Sequence, residues 1–197
     1  MILEHPCTTE MIWNFGRFSS KQAMYRRLGI LKKFGLIQVV GYIPNQTDGG
    51  RPVDVLAVEK WKSDNMNHEV KLSEVLLHWG VPSIRGKYVD SKLRPDATLL
   101  TVRPIHVELD TGSMHWPRVE SRLLRYRGCE ENILFVTSTE TRVAGVLSRC
   151  EFLASTLLAC THEEALEGAE LTDCVGEKIT LNNLLKNLSG NQQAEKP

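Results

Sequence analysis

Three acids stand in an otherwise apolar stretch. Asp96 lies in Arg94-Pro95-Asp96-Ala97, and Glu108 and Asp110 lie in His106-Val107-Glu108-Leu109-Asp110. Carboxylates gathered at one surface repel one another unless a cation or basic groups sit among them. The chemistry on offer is therefore a divalent ion held by oxygen ligands, or a set of ion pairs. Whether the acids gather depends on strand alternation. The two segments read as strands joined at Arg103-Pro104, and an odd number of unpaired residues in the connection places partners at 101 and 105, 99 and 107, 97 and 109. Ala97, Leu99, Thr101, Ile105, Val107 and Leu109 then share one face, while Asp96, Glu108 and Asp110 share the other, expected to be the solvent side. A two-residue turn would put Asp96 on the wrong face. His106 shares the acidic face and could add a ligand, although a strand histidine reads first as a hydrogen-bonded, half-buried side chain.

The elements around these acids are legible as periodicities. A helix is expected from Lys71 to Trp79, with Leu72, Val75, Leu76 and Trp79 inward, Glu69 and Glu74 off that face, and Gly80-Val81-Pro82 as its stop. After the acids, Thr111-Gly112-Ser113 is a turn, and Pro117 suits the first position of a helix running to Arg127 before Gly128. Its apolar positions are Val119, Leu123 and Tyr126; its basic ones are Arg118, Arg122 and Arg125. A strand over Asn132 to Thr137, a helix over Glu140 to Ala154 and a strand over Thr156 to Cys160 complete an α/β arrangement with a mixed central sheet. The stretch from Glu163 to Glu177 is acidic, and residues 189–197 read as a disordered tail.

The first 62 residues have a different character. Thr8-Thr9 caps a short helix closed by Gly16, and Ser19-Ser20 caps a longer one from Lys21 to about Phe34, with Met24, Leu28 and Leu31 as its buried stripe. Gly35 ends it, Leu36 to Val40 and Val53 to Val58 read as strands, and Asn45 to Gly50 is the turn between them. Helix, turn, helix and a hairpin with Arg51 near its tip is the layout of a winged helix. Arg17, Lys21, Arg26, Arg27, Lys32 and Lys33 are basic, with no acid among them from Arg17 to Lys33. Lys21, Tyr25 and Lys32 fall on one exposed side, beside Gln22, Arg26 and Lys33, a set able to reach phosphates and base edges of double-stranded DNA. The polar segment Ser63 to Asn67 marks the expected boundary, giving a DNA-binding domain over 1–62 and an α/β domain over 68–188.

Composition sets outer limits. The 197 residues carry no net charge, so nucleic-acid affinity must come from local asymmetry. No apolar run approaches the roughly 20 residues of a membrane span, and the N-terminus reads as no signal peptide. The odd set Cys7, Cys129, Cys150, Cys160 and Cys174 has no Cys-x-x-Cys pair, which points to reduced thiols and a cytoplasmic setting. Cys150 and Cys160 read as core thiols.

The order of elements around Pro95-Asp96 and Glu108-Leu109-Asp110 resembles the PD-(D/E)XK nuclease fold. In more detail the chain resembles the replication-relaxation family of plasmid and mobile-element proteins. The matching pieces are His68-Glu69, Pro95-Asp96-Ala97, Glu108-Leu109-Asp110-Thr111-Gly112 and Arg125-Tyr126, over roughly residues 5–140. The resemblance implies a winged helix followed by a nuclease-like domain, with Mg²⁺ or Mn²⁺ held by Asp96, Glu108 and Asp110. Arg122 or Arg125 would clamp a phosphate, and Glu69 or Glu74 would serve as an outer carboxylate. The chain departs from the pattern where a catalytic lysine is due: Asp110 stands there, and the helix position four before Tyr126 is Arg122. Arginine stays protonated (pKa above about 12), so it can stabilise charge but cannot serve as a general base.

The leading expectation is a DNA-binding accessory protein of plasmid or mobile-element replication or mobilisation, with replication or mobilisation proteins as partners and a degenerate nuclease site. The alternatives are a metal-dependent endonuclease using Asp96, Glu108 and Asp110, and a winged-helix transcriptional regulator that forms a homodimer through its second domain.

Overall fold

Ser20 shows how closely local chemistry sets the first helical layer. Its hydroxyl accepts the Ala23 N–H at 3.1 Å and starts α2, Lys21–Lys33. Gly35, at φ +68°, ends it, and the Leu36 N–H returns to the Leu31 carbonyl at 2.9 Å. The computed structural model describes residues 4–45, 50–61, 63–86 and 93–190. Most of the 45–50 turn and residues 191–197 of the expected tail lie outside the described residues.

The chain divides into two compact units, Met1–His78 and Trp79–Pro197. Unit 1 contains β1 (Cys7–Thr8), α1 (Thr9–Phe15), α2, β2 (Gln38–Ile43), β3 (Val53–Ala57) and nearly all of α3 (Met66–Trp79). Among the described residues its sheet is antiparallel in the order β1-β3-β2. Met24 and Leu28 of α2 pack with Cys7, Met11, Ile12, Val55, Leu56 and Val70, while Leu31 is partly buried beside them. Two sequence expectations are corrected here. The Asn65 carboxamide accepts the His68 N–H at 3.1 Å and α3 begins at Met66, so the polar segment runs directly into the helix that its Asn65 caps. Because Met66, Val70 and Leu77 pack on the unit 1 core, the division falls at Trp79 and not between residues 62 and 68.

Unit 2 is a mixed α/β layer structure. Its strands are β4 (Ser83–Arg85), β5 (Ala97–Leu99), β6 (Ile105–Asp110), β7 (Asn132–Thr137), β8 (Leu157–Thr161), β9 (Glu170–Thr172) and β10 (Lys178–Thr180). Its helices are α4 (Trp116–Leu123), α5 (Glu140–Arg149), α6 (His162–Glu167) and α7 (Leu181–Gly190). The described sheet runs β10-β9-β8-β7-β6-β5-β4, with β6, β7 and β8 parallel and the outer pairs antiparallel. Parallel strands are covered on both faces, which is why β6 is buried along its whole length.

The β5–β6 register differs from the expected one by two residues: Ala97 faces Val107 and Leu99 faces Ile105. Residues 100–104 form the connection, so Thr101 is outside the ladder. Five is still an odd number, and a shift of two preserves the face of every side chain. The acidic face is not the solvent side, however. It carries Glu108 at 0% exposure and lies in the layer with Tyr126, Val119, Leu123 and Val146 of the helical side. Gly86 permits the tight approach that frames this edge: its N–H donates to the Asp96 carbonyl at 2.9 Å, and a Cβ there would sit 1.5 Å from the Pro95 oxygen.

The expected helix from Pro117 to Arg127 ends earlier, tightening into a 3-10 turn over Leu124–Tyr126. Likewise α5 stops at Arg149 and is followed by a 3-10 turn. The acidic stretch after Thr161 holds structure that the composition did not suggest. Thr161 and Glu164 form a capping box for α6, and β9 and β10 pair as a hairpin before α7, which takes in residues expected to open the tail. All five cysteines are free thiols, with Cys7, Cys150 and Cys160 buried. Among the described residues, no helix is long and apolar enough to cross a membrane.

Candidate functional site

The site begins where β5 ends. The Asp96 N–H still donates to the Val107 carbonyl at 3.0 Å, but the Leu109 N–H lies beyond the last β5–β6 pair. Asp96 Oδ2 accepts that N–H at 2.8 Å, so the side chain extends the ladder by one bond. Its other oxygen, Oδ1, accepts from Nη2 of Arg122.

Glu108 meets the same arginine from below. Its Oε1 accepts the Tyr126 hydroxyl at 2.5 Å, and its Oε2 lies 2.5 Å from Arg122 Nη2. Arg122 and Tyr126 are four residues apart, and α4 with its 3-10 extension turns both toward β6. One guanidinium nitrogen therefore bridges Asp96 and Glu108. The Glu108 contact is an ion pair without hydrogen-bond alignment, which leaves Oε2 and Arg122 Nε without hydrogen-bond partners.

Asp110 is on the same face but belongs to a separate cluster. Its Oδ2 accepts from Arg142 Nε at 2.8 Å and from Nη2, and its Oδ1 accepts the Gly112 N–H at 3.0 Å. Arg142 also donates to the Met114 carbonyl at 2.8 Å and lies 4.8 Å from the Trp116 ring centre. Sequence reasoning missed Arg142. Its contact follows from the parallel pairing of Asp110 with Thr137, which sets the first turn of α5 beside the end of β6.

Burial pushes the Glu108 carboxyl up to about 8, against the pull of Arg122, and Asp96 pushes the same way. Burial alone would lower the Arg122 guanidinium, but Glu108 and Asp96 outweigh it and raise its pKa. The Tyr126 hydroxyl is raised by burial and by Glu108, so it remains a donor. A proton on Glu108 has a consequence for stability. The unfolded chain releases it near 4.5 and the folded chain near 8, so between those values the folded state binds more protons and stability falls as pH rises. The expected loss from pH 5 to pH 8 is on the order of a few kcal/mol. Urea midpoints should show it for the wild type and not for Glu108→Gln; parallel curves would refute the assignment.

These residues do not fit a divalent-metal centre of the Asp96, Glu108 and Asp110 type. The position between the first two carboxylates is held by a fixed positive charge, Asp110 is engaged by a second arginine, and no described group of three ligand atoms contains them. The cluster that does bring three ligand types together is His106, Cys129 and Glu131, whose ligand atoms lie within 4.8 Å of one another. Its donors are partly engaged: Cys129 donates to Glu131 at 2.8 Å, and His106 Nδ1 is 3.2 Å from the Thr98 hydroxyl. Burial and the Glu131 contact push the Cys129 thiol up to about 11, so it is a hydrogen-bonded thiol near neutrality. An N, S, O donor set of this kind does not suit Mg²⁺ or Mn²⁺.

In unit 1 the expected DNA-contacting residues Arg17, Lys21, Gln22, Tyr25, Arg26, Lys32, Lys33 and Arg51 are all exposed. They are not equivalent. Lys32 pairs with Asp54 of β3 at 3.5 Å, and Lys21 lies 5.8 Å from the Trp13 ring centre. Among the described residues Arg17, Arg26, Arg27 and Lys33 have no carboxylate within ion-pair distance. Glu69 and Glu74 lie on α3 in unit 1. No family model, curated protein or solved structure matches the chain.

Proposed function

We propose that the chain is a DNA-binding accessory protein of plasmid or mobile-element replication or mobilisation. In this reading unit 1 is a winged helix that grips duplex DNA, and unit 2 is a PD-(D/E)XK-like domain that lies on DNA without cutting it. The observation that carries it is the Arg122 bridge. A guanidinium between Asp96 and Glu108 supplies the neutralising charge that a metal ion would bring, yet it has no exchangeable water to activate and no proton to accept. DNA contact is supported by the exposed cations of α2, which include Arg26, Arg27 and Lys33, against which no acid in that helix competes.

The test is incubation of the full chain with supercoiled plasmid in Mg²⁺ and in Mn²⁺. The expected result is a mobility shift with no nicked or linear product, and the same pattern for Glu108→Ala. Nicking by the wild type that disappears in Glu108→Ala would make the endonuclease reading the correct one.

A further inference from the structure

Unit 2 has an open recess of about 530 Å³ lined by Arg94, Met114, Arg118, Ser121, Arg122 and Arg125. Four of its six residues are arginines and none is an acid. Elsewhere on unit 2 Lys178 contacts Glu164 and Glu170, and Arg149 contacts Glu120. The exposed Arg103, Arg127 and Lys186 have no carboxylate within ion-pair distance among the described residues, but they do not line this recess. Arg94, Arg118 and Arg125 are exposed, and among the described residues none has a carboxylate within ion-pair distance. The Arg125 Nε–H donates to the Arg122 carbonyl at 3.1 Å, which fixes the direction of that side chain on the turn after α4. Like charges brought this close without a counter-ion repel one another, and the fold nevertheless holds them in one concavity.

Two further features mark the recess. Arg94 has a left-handed backbone at φ +48°, an uncommon state for a non-glycine residue, and one that recurs at ligand sites. Arg122 also lines the recess, and its buried Nε–H has no acceptor. The positive charge of Arg122 is already matched by Asp96, so the surplus belongs to the other three.

We propose that this recess is a phosphate-binding pocket, in which the forked N–H donors of Arg94, Arg118 and Arg125 seize the backbone phosphate of a nucleic acid. Guanidinium forks match phosphate oxygens in pairs, and a shallow polar recess admits a phosphodiester where a closed cavity would not. The pocket rests on the reading that unit 2 lies on DNA, and it gives that contact an address. The same chemistry would accept a free polyphosphate, so the two sources must be separated by experiment.

The full chain and Arg118→Gln/Arg125→Gln are compared for binding to a labelled duplex across a salt series, and for binding to inorganic pyrophosphate by calorimetry. Both substitutions are on exposed positions without ion-pair partners, and an unchanged melting curve controls for folding. The proposal expects a loss of duplex affinity of about tenfold or more and a salt slope shallower by nearly two. Pyrophosphate bound by the wild type and lost in the variant, with duplex affinity unchanged, would keep the pocket but reassign it to free polyphosphates and overturn the nucleic-acid source. Unchanged binding of both ligands would overturn the pocket while leaving DNA binding by unit 1 intact. A wild type that binds pyrophosphate and no duplex would sink the DNA reading and the nucleic-acid source with it, leaving a pocket for free polyphosphates. One that binds neither would sink the reading and the pocket together.

Discussion

Arg122→Ala should lower the stability of unit 2 by about 3 kcal/mol, the lower end of what removing one partner from a buried ion pair costs. The two carboxylates are not left equally exposed to the loss. Glu108 is fully buried but can hold a proton, supported by the Tyr126 hydroxyl at 2.5 Å, so it need not remain as an unpaired charge. Asp96 keeps the Leu109 N–H but loses its guanidinium, and Arg122 also gives up the packing of its stem. The penalty should therefore depend on pH, growing as Glu108 is forced to ionise. In a Glu108→Gln background the same substitution should cost less by about 1 kcal/mol or more, because the two side chains share one interaction. Urea denaturation of the four proteins at pH 6 and pH 8 measures all of this. An Arg122→Ala cost below about 0.5 kcal/mol, the level of an ordinary surface change, would show that the bridge contributes nothing.

The second large effect is expected in unit 1. Replacing Arg26 and Lys33 together by alanine should weaken duplex binding about ten- to a hundredfold near physiological salt, and should flatten the slope of log affinity against log salt by about 1.8. Both are exposed on α2 without an ion-pair partner among the described residues, so neither change removes a stabilising contact. Lys32→Ala is the informative comparison. Its ammonium is already shared with Asp54 at 3.5 Å, and its loss should matter less. Fluorescence anisotropy with a labelled duplex reads the affinities. If the double variant binds as the wild type does, α2 is not the surface that meets DNA.

Much of this architecture could be read from the residues because it is set locally. Ser20 and Thr8 cap their helices through their own hydroxyls, Gly35 ends α2, and β7 spans the expected residues because Asn132 to Thr137 is an apolar run with clear ends. The gathering of Asp96 with Glu108 was legible for a similar reason: alternation along a strand survives an error of two residues in register. What failed depended on distant parts of the chain. Nothing near Asp110 announces that Arg142, 32 residues later, will take its carboxylate, since that needs the β6–β7 register. The burial of the acidic face required knowing that α4 would return over β6. Strand β1 is only two residues long and exists because β3 offers an edge at Val55 and Leu56. The arginines of α4 show the limit well. The sequence singled out Arg122 by its place four residues before Tyr126. It did not show that Arg122 alone is turned onto the acids, while Arg118 and Arg125 reach only the recess that Arg122 also lines.

The central claim is that Arg122 has taken the place of a divalent cation between Asp96 and Glu108. Titration of the wild-type chain with Mn²⁺, followed by the electron paramagnetic resonance signal of the hydrated ion, tests it most directly at a pH above 8, past the midpoint of the buried Glu108 carboxyl. The account predicts that the hydrated-ion signal grows in proportion to added Mn²⁺ from the first addition, for the wild type and for Glu108→Gln alike. Uptake of one Mn²⁺ per chain by the wild type, abolished in Glu108→Gln, would contradict it.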